Sequence, residues 1–259
     1  MKHRQAGEGW QVIRSENALA DWSSPDQLPR MCGRYGFGNP ARFDALPFGV
    51  ALPALAPRFN VSPSQTVPLV AEDPELGRNV LMATWGLVPS WENDSLVGNG
   101  QANARGDTVA TKPMFRAAFK TRRALMPADL FYEWQVVPGH KGKHPWCIRL
   151  PDDEPFSFGA IWEQFDAPDD PTAEALVTCA IITTEPNELM ATIHQRMPLI
   201  VPTSAYDEWL DPQTSVQRAQ TLIKPYAGVM RAWRVSSWLN VARNDGPQCI
   251  EPLDITNGD

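Results

Sequence analysis

Phe156-Ser157-Phe158-Gly159-Ala160-Ile161-Trp162 is a short apolar run that opens after Pro155 and gives way to acidic residues. A run of this length, rich in aromatic side chains and stopped by turn formers, reads as a buried strand rather than a helix. The pattern recurs at 67–71, 80–87, 146–150, 175–183, 198–201 and 230–235. The 25 prolines are spread along the chain, so long helices are few. Shorter helices are expected at 112–123, 187–193 and 204–210. In the first, Phe115 and Phe119 share one side, and Lys112, Arg116, Lys120 and Arg123 follow helical spacing on another. In the third, Ser204 stands where a cap is needed and Asp207 at the capping-box position. Nothing past residue 31 reads as a linker or an internal repeat. The expectation is one α+β domain over 31–259, with a β-barrel-like antiparallel core flanked by short helices. Residues 1–30 read as a leader, disordered, cleaved or upstream of the functional start.

Charge and cysteine usage narrow the function classes. The 259-residue chain carries a formal charge of −7, which on its face disfavours nucleic acid. Eight of the acids lie within 151–175, where there is no Lys or Arg, so the other residues sum to +1. Residues 101–123 hold six bases (Arg105, Lys112, Arg116, Lys120, Arg122, Arg123) against Asp107 alone. Such a local surplus attracts a phosphate backbone even on an acidic protein. Cys32, Cys147, Cys179 and Cys249 are far apart and form no CxxC pair, which disfavours a zinc site or disulfide framework and fits a reducing cytoplasm. No apolar run reaches the length of a membrane span, and the first 30 residues lack the apolar core of a signal peptide.

Five segments carry the chemistry. Met31-Cys32-Gly33-Arg34-Tyr35 offers a second start. If the chain begins functionally there, removal of Met31 leaves Cys32 with an α-amine beside its thiol, a 1,2-aminothiol suited to capturing aldehydes. Elsewhere, a cysteine is most often a small buried hydrophobe. Trp85-Gly86-Leu87-Val88-Pro89-Ser90-Trp91 sets two indoles around Gly and Pro, a plausible platform for nucleobases, although large aromatics more often fill cores. Asn103-Ala104-Arg105 precedes the basic helix, where Asn103 can orient a polar intermediate and Arg105 can hold a phosphate. Glu133 lies in the aromatic run Phe131-Tyr132-Glu133-Trp134; a carboxylate in such surroundings is suited to acid–base work. His194, in Thr192-Ile193-His194-Gln195-Arg196-Met197-Pro198, sits between apolar segments and is placed for proton transfer. The other histidines are less well placed: His3 is in the leader, and His140 and His144 lie in a Lys/Gly turn expected to face solvent.

Taken in order, these segments, with Arg58-Phe59-Asn60-Val61-Ser62-Pro63 and Val241-Ala242-Arg243-Asn244-Asp245-Gly246-Pro247, make the chain resemble the SOS response-associated peptidase (SRAP) family, the abasic-site shield proteins. The resemblance runs from residue 31 to about 253. It implies a barrel-like antiparallel fold, binding of single-stranded DNA at abasic sites in the DNA damage (SOS) response, and covalent, reversible attachment through Cys32. It implies Cys32 as nucleophile, Asn103, Glu133 and His194 as its polar partners, Arg34 and Arg105 on phosphates, and Pro63 and Trp85 against flanking bases. By their charge and spacing, Lys112 and Arg116 extend the DNA groove or simply solvate the helix face. In the family this cysteine follows the initiating Met, so residues 1–30 are expected to be removed or to lie upstream of the start. The family name implies autoproteolysis that exposes the cysteine, a hydrolase activity beside lyase-like imine chemistry. No metal or organic cofactor is required, and a cytoplasmic monomer, associated with the nucleoid when on DNA, is expected. Two other readings remain open: a thiol peptidase using Cys32, His194 and Asn103 on other proteins, and a non-catalytic single-strand binding module.

Overall fold

The computed structural model describes residues 33–73, 77–92, 100–139, 142–165 and 175–253. Five strands close a barrel: β3 (Thr66–Asp73), β4 (Gly77–Trp85), β6 (Arg123–Ala128), β9 (Phe156–Phe165) and β10 (Leu176–Thr184). The order around the barrel is β3-β4-β10-β9-β6, and β6 returns to β3. Four of the seams are antiparallel, as expected. The fifth, between β4 and β10, is parallel, with Thr178 level with Thr84 and Cys179 level with Trp85. Beyond that seam β5 (Asn103–Arg105) also runs parallel to β10, Ile181 facing Asn103. Burial explains the continuous apolar runs read from the sequence: Phe158, Ala160, Ile161, Ala180, Ile181 and Ile182 are all within the core.

A second sheet leaves the barrel at Asp129. There β6 ends and β7 (Leu130–Val136) begins, joining the order β13-β8-β7-β1-β2. Its other strands are β1 (Arg34–Phe37), β2 (Arg58–Val61), β8 (Lys143–Arg149) and β13 (Arg231–Arg234). A buried carboxylate at such a corner needs donors. Asp129 accepts from the Gly38 and Asn39 N–H groups at 3.1 and 2.8 Å, and Arg149 Nε donates to its carbonyl at 3.3 Å. Burial still pushes its carboxyl above the ordinary value.

The helices are shorter than expected. Helix α1 is Pro113–Thr121, with Phe115 and Phe119 buried. Arg123 is not on its basic face. It opens β6, is buried, and donates to the carbonyls of Phe119 and Lys120 at the end of α1 and of Trp209 and Asp211 beyond it. An arginine that satisfies helix-end carbonyls stops the helix where a solvated one would extend it. Helix α2 is Glu188–Ala191, capped by the Asn187 side chain, which accepts from Met190 N–H at 2.9 Å. The third expected helix splits into a 3-10 turn (Thr203–Ala205) and α3 (Tyr206–Leu210), with no side-chain cap at either start. Asp207 pairs instead with Arg78 at 2.7 Å. His144 lies within β8, half-buried opposite Gln135, rather than in an exposed turn, and His140 falls outside the described residues.

Asn60 locks the C-terminal segment under this sheet. It is 0% exposed. Its Nδ2 contacts the carbonyls of Leu239, Val241 and Asn244 at 3.0, 3.2 and 2.7 Å, and its Oδ1 accepts from Arg34 at 2.9 Å. Asp245 reciprocates, accepting from the Phe59 and Asn60 N–H groups and from Arg58 Nε. Replacing Asn60 by Leu strips these carbonyls and one guanidinium of their partner and is expected to cost about 2–4 kcal/mol. Urea unfolding checks this: the midpoint should fall at constant slope, and an unmoved midpoint would contradict the role of Asn60.

Candidate functional site

Strand β1 pairs antiparallel with β7, Arg34 level with Tyr132 and Tyr35 with Phe131. Extending that register by one residue sets the buried Gly33 level with Glu133. Glu133 is 2% exposed. Its neighbour on the other side is Trp146 of β8. Residues two apart on a strand share a face, so Gln135 projects on the same side as Glu133. The Gln135 Nε2 donates to the Thr192 carbonyl at 2.7 Å, and its Oε1 accepts from Trp146 Nε1 at 3.1 Å. A carbonyl only accepts and an indole N–H only donates, so this is the one orientation of the amide that satisfies both.

Thr192 is two residues before His194. The His194 N–H donates to Met190 O at 2.7 Å, and the Arg196 N–H is 3.2 Å from His194 Nδ1. The Arg196 carbonyl lies at the same 3.2 Å from Nδ1, so either tautomer of the imidazole finds a partner there. Arg196 itself is buried, donating to the Thr183 carbonyl at 2.7 Å and pairing with Glu185 at 2.8 Å. The same Thr183 carbonyl accepts from Gly106 N–H at 2.8 Å, and Thr183 stands level with Arg105. The loop of His194 and the strand of Asn103 and Arg105 thus hang on one residue of β10.

Arg105 is exposed and forms a two-point pair with Asp107, at 3.1 and 2.5 Å. Its guanidinium holds the Asp107 carboxyl below the ordinary value. Lys112 and Arg116 are exposed, Lys112 at the start of α1 and Arg116 on its outer face. Arg34, by contrast, spends its two terminal nitrogens inside the protein, on Asn60 and on the carbonyls of Leu239 and Asn240 at 2.9 and 3.2 Å. Burial lowers its pKa. It is a tether for β1 first. Pro63 is half-buried in the turn after β2, next to Ser64, whose N–H donates to Trp85 O at 2.7 Å.

Trp85 does not form a platform for bases. It is 0% exposed, its Nε1 donates to Ala102 O at 2.8 Å, and its ring meets Tyr35 edge-on at 5.4 Å. The other indole of that segment, Trp91, is 59% exposed. Its loop is held from below: Val88 N–H donates to Thr178 Oγ1 at 3.0 Å, Ser90 N–H to Glu163 at 3.2 Å, and Glu163 pairs with Arg122 at the end of α1. At the loop base Gly100 lies against Gly86, where a Cβ would sit 2.1 Å from the Gly86 oxygen.

Cys32 lies outside the described residues. The three described cysteines are all buried, and burial pushes the Cys147, Cys179 and Cys249 thiols up, away from the reactive thiolate. Among the described residues no three His, Cys, Asp or Glu side chains gather as metal ligands would, and no helix is long and apolar enough to cross a membrane.

The family model for SOS response associated peptidase (SRAP) matches residues 31–242. The chain belongs to the SRAP family. Abasic site processing protein YoqW of Bacillus subtilis (strain 168) is 40% identical over 197 residues, which span 75% of this chain and 86% of that protein. Abasic site processing protein HMCES of Pongo abelii is 31% identical over 234 residues, 77% of this chain and 66% of the relative. A crystal structure of a protein from Bacteroides thetaiotaomicron superposes with a TM-score of 0.67 at 27% identity, covering 75% of this chain and 85% of that one. The segments 58–63 and 241–247, far apart in sequence, are joined here through Asn60 and Asp245.

The division between the two indoles is testable by stability alone. Trp85→Ala is expected to cost roughly 3–5 kcal/mol, and Trp91→Ala to stay within about 0.5 kcal/mol of the parent. Thermal melts of both variants measure the contrast, and equal losses would contradict it.

Proposed function

We propose that this SRAP protein captures abasic sites in single-stranded DNA as a reversible covalent adduct on Cys32, after the residues upstream of Cys32 are removed. The observation that carries the reading is the face shared by Glu133 and Gln135. The register of β1 leads back toward Glu133, and Gln135 holds the loop of His194 to the same strand. In this reading a nucleophile preceding Gly33 works beside a buried carboxylate, with an imidazole loop tied alongside. The family match, which begins at residue 31, and the names of the relatives support the same reading.

The chemistry needs an α-amine. Near pH 7.5 a lysine amine is roughly 0.1% neutral, whereas an α-amine is roughly a quarter to a third neutral. The Cys32 amine attacks the C1′ aldehyde of the open sugar, and the carbinolamine loses water to give an imine. The thiol then adds across the imine: sulfur bonds to carbon, its proton passes to nitrogen, and a five-membered thiazolidine closes. Both nucleophiles sit on one residue, so closure is intramolecular. With the imine consumed, β-elimination and strand breakage are suppressed. His194 protonates the sugar ring oxygen as the hemiacetal opens and takes the proton back when the ring closes on reversal. Glu133 shuttles protons at the amine and helps expel water. Asn103 hydrogen-bonds the terminus or the opened sugar.

DNA is held outside this centre. Arg105 exchanges Asp107 for a phosphate, with Lys112 and Arg116 further along the basic face. Pro63 and the exposed Trp91, rather than Trp85, pack against flanking bases, and Arg34 acts chiefly by holding β1. Removal of the upstream residues is a peptide hydrolysis, consistent with the family's description as a peptidase.

Cys32→Ala should abolish the adduct with abasic single-stranded DNA on a denaturing gel. Glu133→Gln should slow its formation, and His194→Ala should slow its reversal most. Wild-type rates in any of the three remove that residue from the scheme. In equilibrium binding, Trp91→Ala should weaken affinity for single strands by about 1–3 kcal/mol. Arg105→Gln should flatten the log–log salt dependence by about 0.7; an unchanged slope would exclude a phosphate at Arg105.

A further inference from the structure

Gln135 is not among the residues that react, yet its side chain bridges the strand of Glu133 and the loop of His194, with a hydrogen bond at each end of the amide. We propose that Gln135 is a positioning residue for His194: its Nε2–H, held in one orientation by the Trp146 indole, sets the height of the 192–196 loop over the reacting face. This rests on the function proposed above.

Three observations converge. First, the amide has one allowed orientation, because the indole of Trp146 demands an acceptor and the Thr192 carbonyl demands a donor. Trp146 is itself fixed as the cross-strand neighbour of Glu133. The position of the Gln135 donor is therefore referred to the strand that carries the carboxylate. Second, Gln135 reaches the loop from the side of β7, where the other bonds of the loop do not run. Helix α2 has only four residues, and Thr192 Oγ1 turns back to Leu189 O at 2.7 Å. The His194 N–H bond to Met190 O and the buried Ile193 hold the middle of the loop to α2 and the core, and Arg196 ties its far end to β10, not to β7. Third, β7 does not depend on the bridge, since it is paired along its length by β8 and along its first half by β1. Loss of the Gln135 donor should therefore release His194 and leave Glu133 in place. A displacement of about 1 Å at a reacting group can cost up to about a hundredfold.

The role is separable from mere stabilisation by two substitutions of opposite kind. Gln135→Lys keeps a donor for the Thr192 carbonyl and loses the acceptor for Trp146. Gln135→Glu keeps the acceptor and loses the donor. With each, and with Gln135→Leu, formation and reversal of the adduct with abasic single-stranded DNA are timed, alone and in a His194→Ala background. Gln135→Leu and Gln135→Glu are expected to slow reversal about ten- to a hundredfold with a smaller effect on formation, and Gln135→Lys to stay close to the parent. In the His194→Ala background, Gln135→Leu should add nothing further to reversal, since residues acting as a unit are not additive. The inference is overturned if Glu rescues and Lys does not, if formation and reversal fall together, or if the Leu effect persists undiminished without His194. If His194→Ala alone reverses at the parent rate, the proposed role of His194 fails and takes this inference with it. If only the Gln135 pattern fails, the proposed function stands.

Discussion

The hydrogen bonds from the Arg34 guanidinium to Asn60 and to the carbonyls of Leu239 and Asn240 decide where the chain enters the fold. A first strand at the edge of a domain frays unless something ties it down. Here β1 lies between β2 and β7, and its first residue is pinned to a C-terminal segment that Asn60 also holds. The tether holds β1 in register on β7, where a slip of one residue would send every side chain of β1 to the opposite face. Because Asn60 fills the remaining acceptor and donor demands of the same cluster, the arrangement is over-determined rather than adjustable.

From that point the candidate centre is assembled by backbone carbonyls more than by ion pairs. The Thr183 carbonyl receives both Arg196 and Gly106, and the Thr192 carbonyl receives Gln135. Such contacts place His194 and the Asn103 strand with a single buried guanidinium, that of Arg196, among their donors. The charged pairs lie at its rim, where Arg105 and Asp107 are solvated and exchangeable. Exposed pairs of this kind contribute little to stability, so opening this one for a phosphate costs little.

Much of this was readable from residue order. The strand runs at 67–71, 156–162 and 175–183 appear as parts of β3, β9 and β10, because burial on both faces leaves an unbroken apolar signature. The parallel seam of the barrel was not readable, since pairing between distant strands leaves no local mark. Arg123 was misread because its spacing continues that of Lys112 and Arg116; only the carbonyls at the end of α1 show why it turns inward. Trp85 and Trp91 look alike in sequence, and only the hydrogen bond from Trp85 to Ala102 and the exposure of Trp91 separate them. Gln135 carried no sequence signal, because its meaning lies in Thr192, 57 residues away. Cys32, by contrast, was singled out by its place before Gly-Arg-Tyr alone.

The central claim is that the reactive group is the aminothiol of Cys32 and no other nucleophile of the chain. Peptide mapping by mass spectrometry, after the protein is trapped on abasic single-stranded DNA and digested, tests it most directly. The account predicts the sugar remnant on a peptide that begins at Cys32, with the mass of a thiazolidine: one water lost and no reduction required. A remnant on a lysine or on an internal cysteine, or on a peptide in which Cys32 is still preceded by Met31, would contradict it.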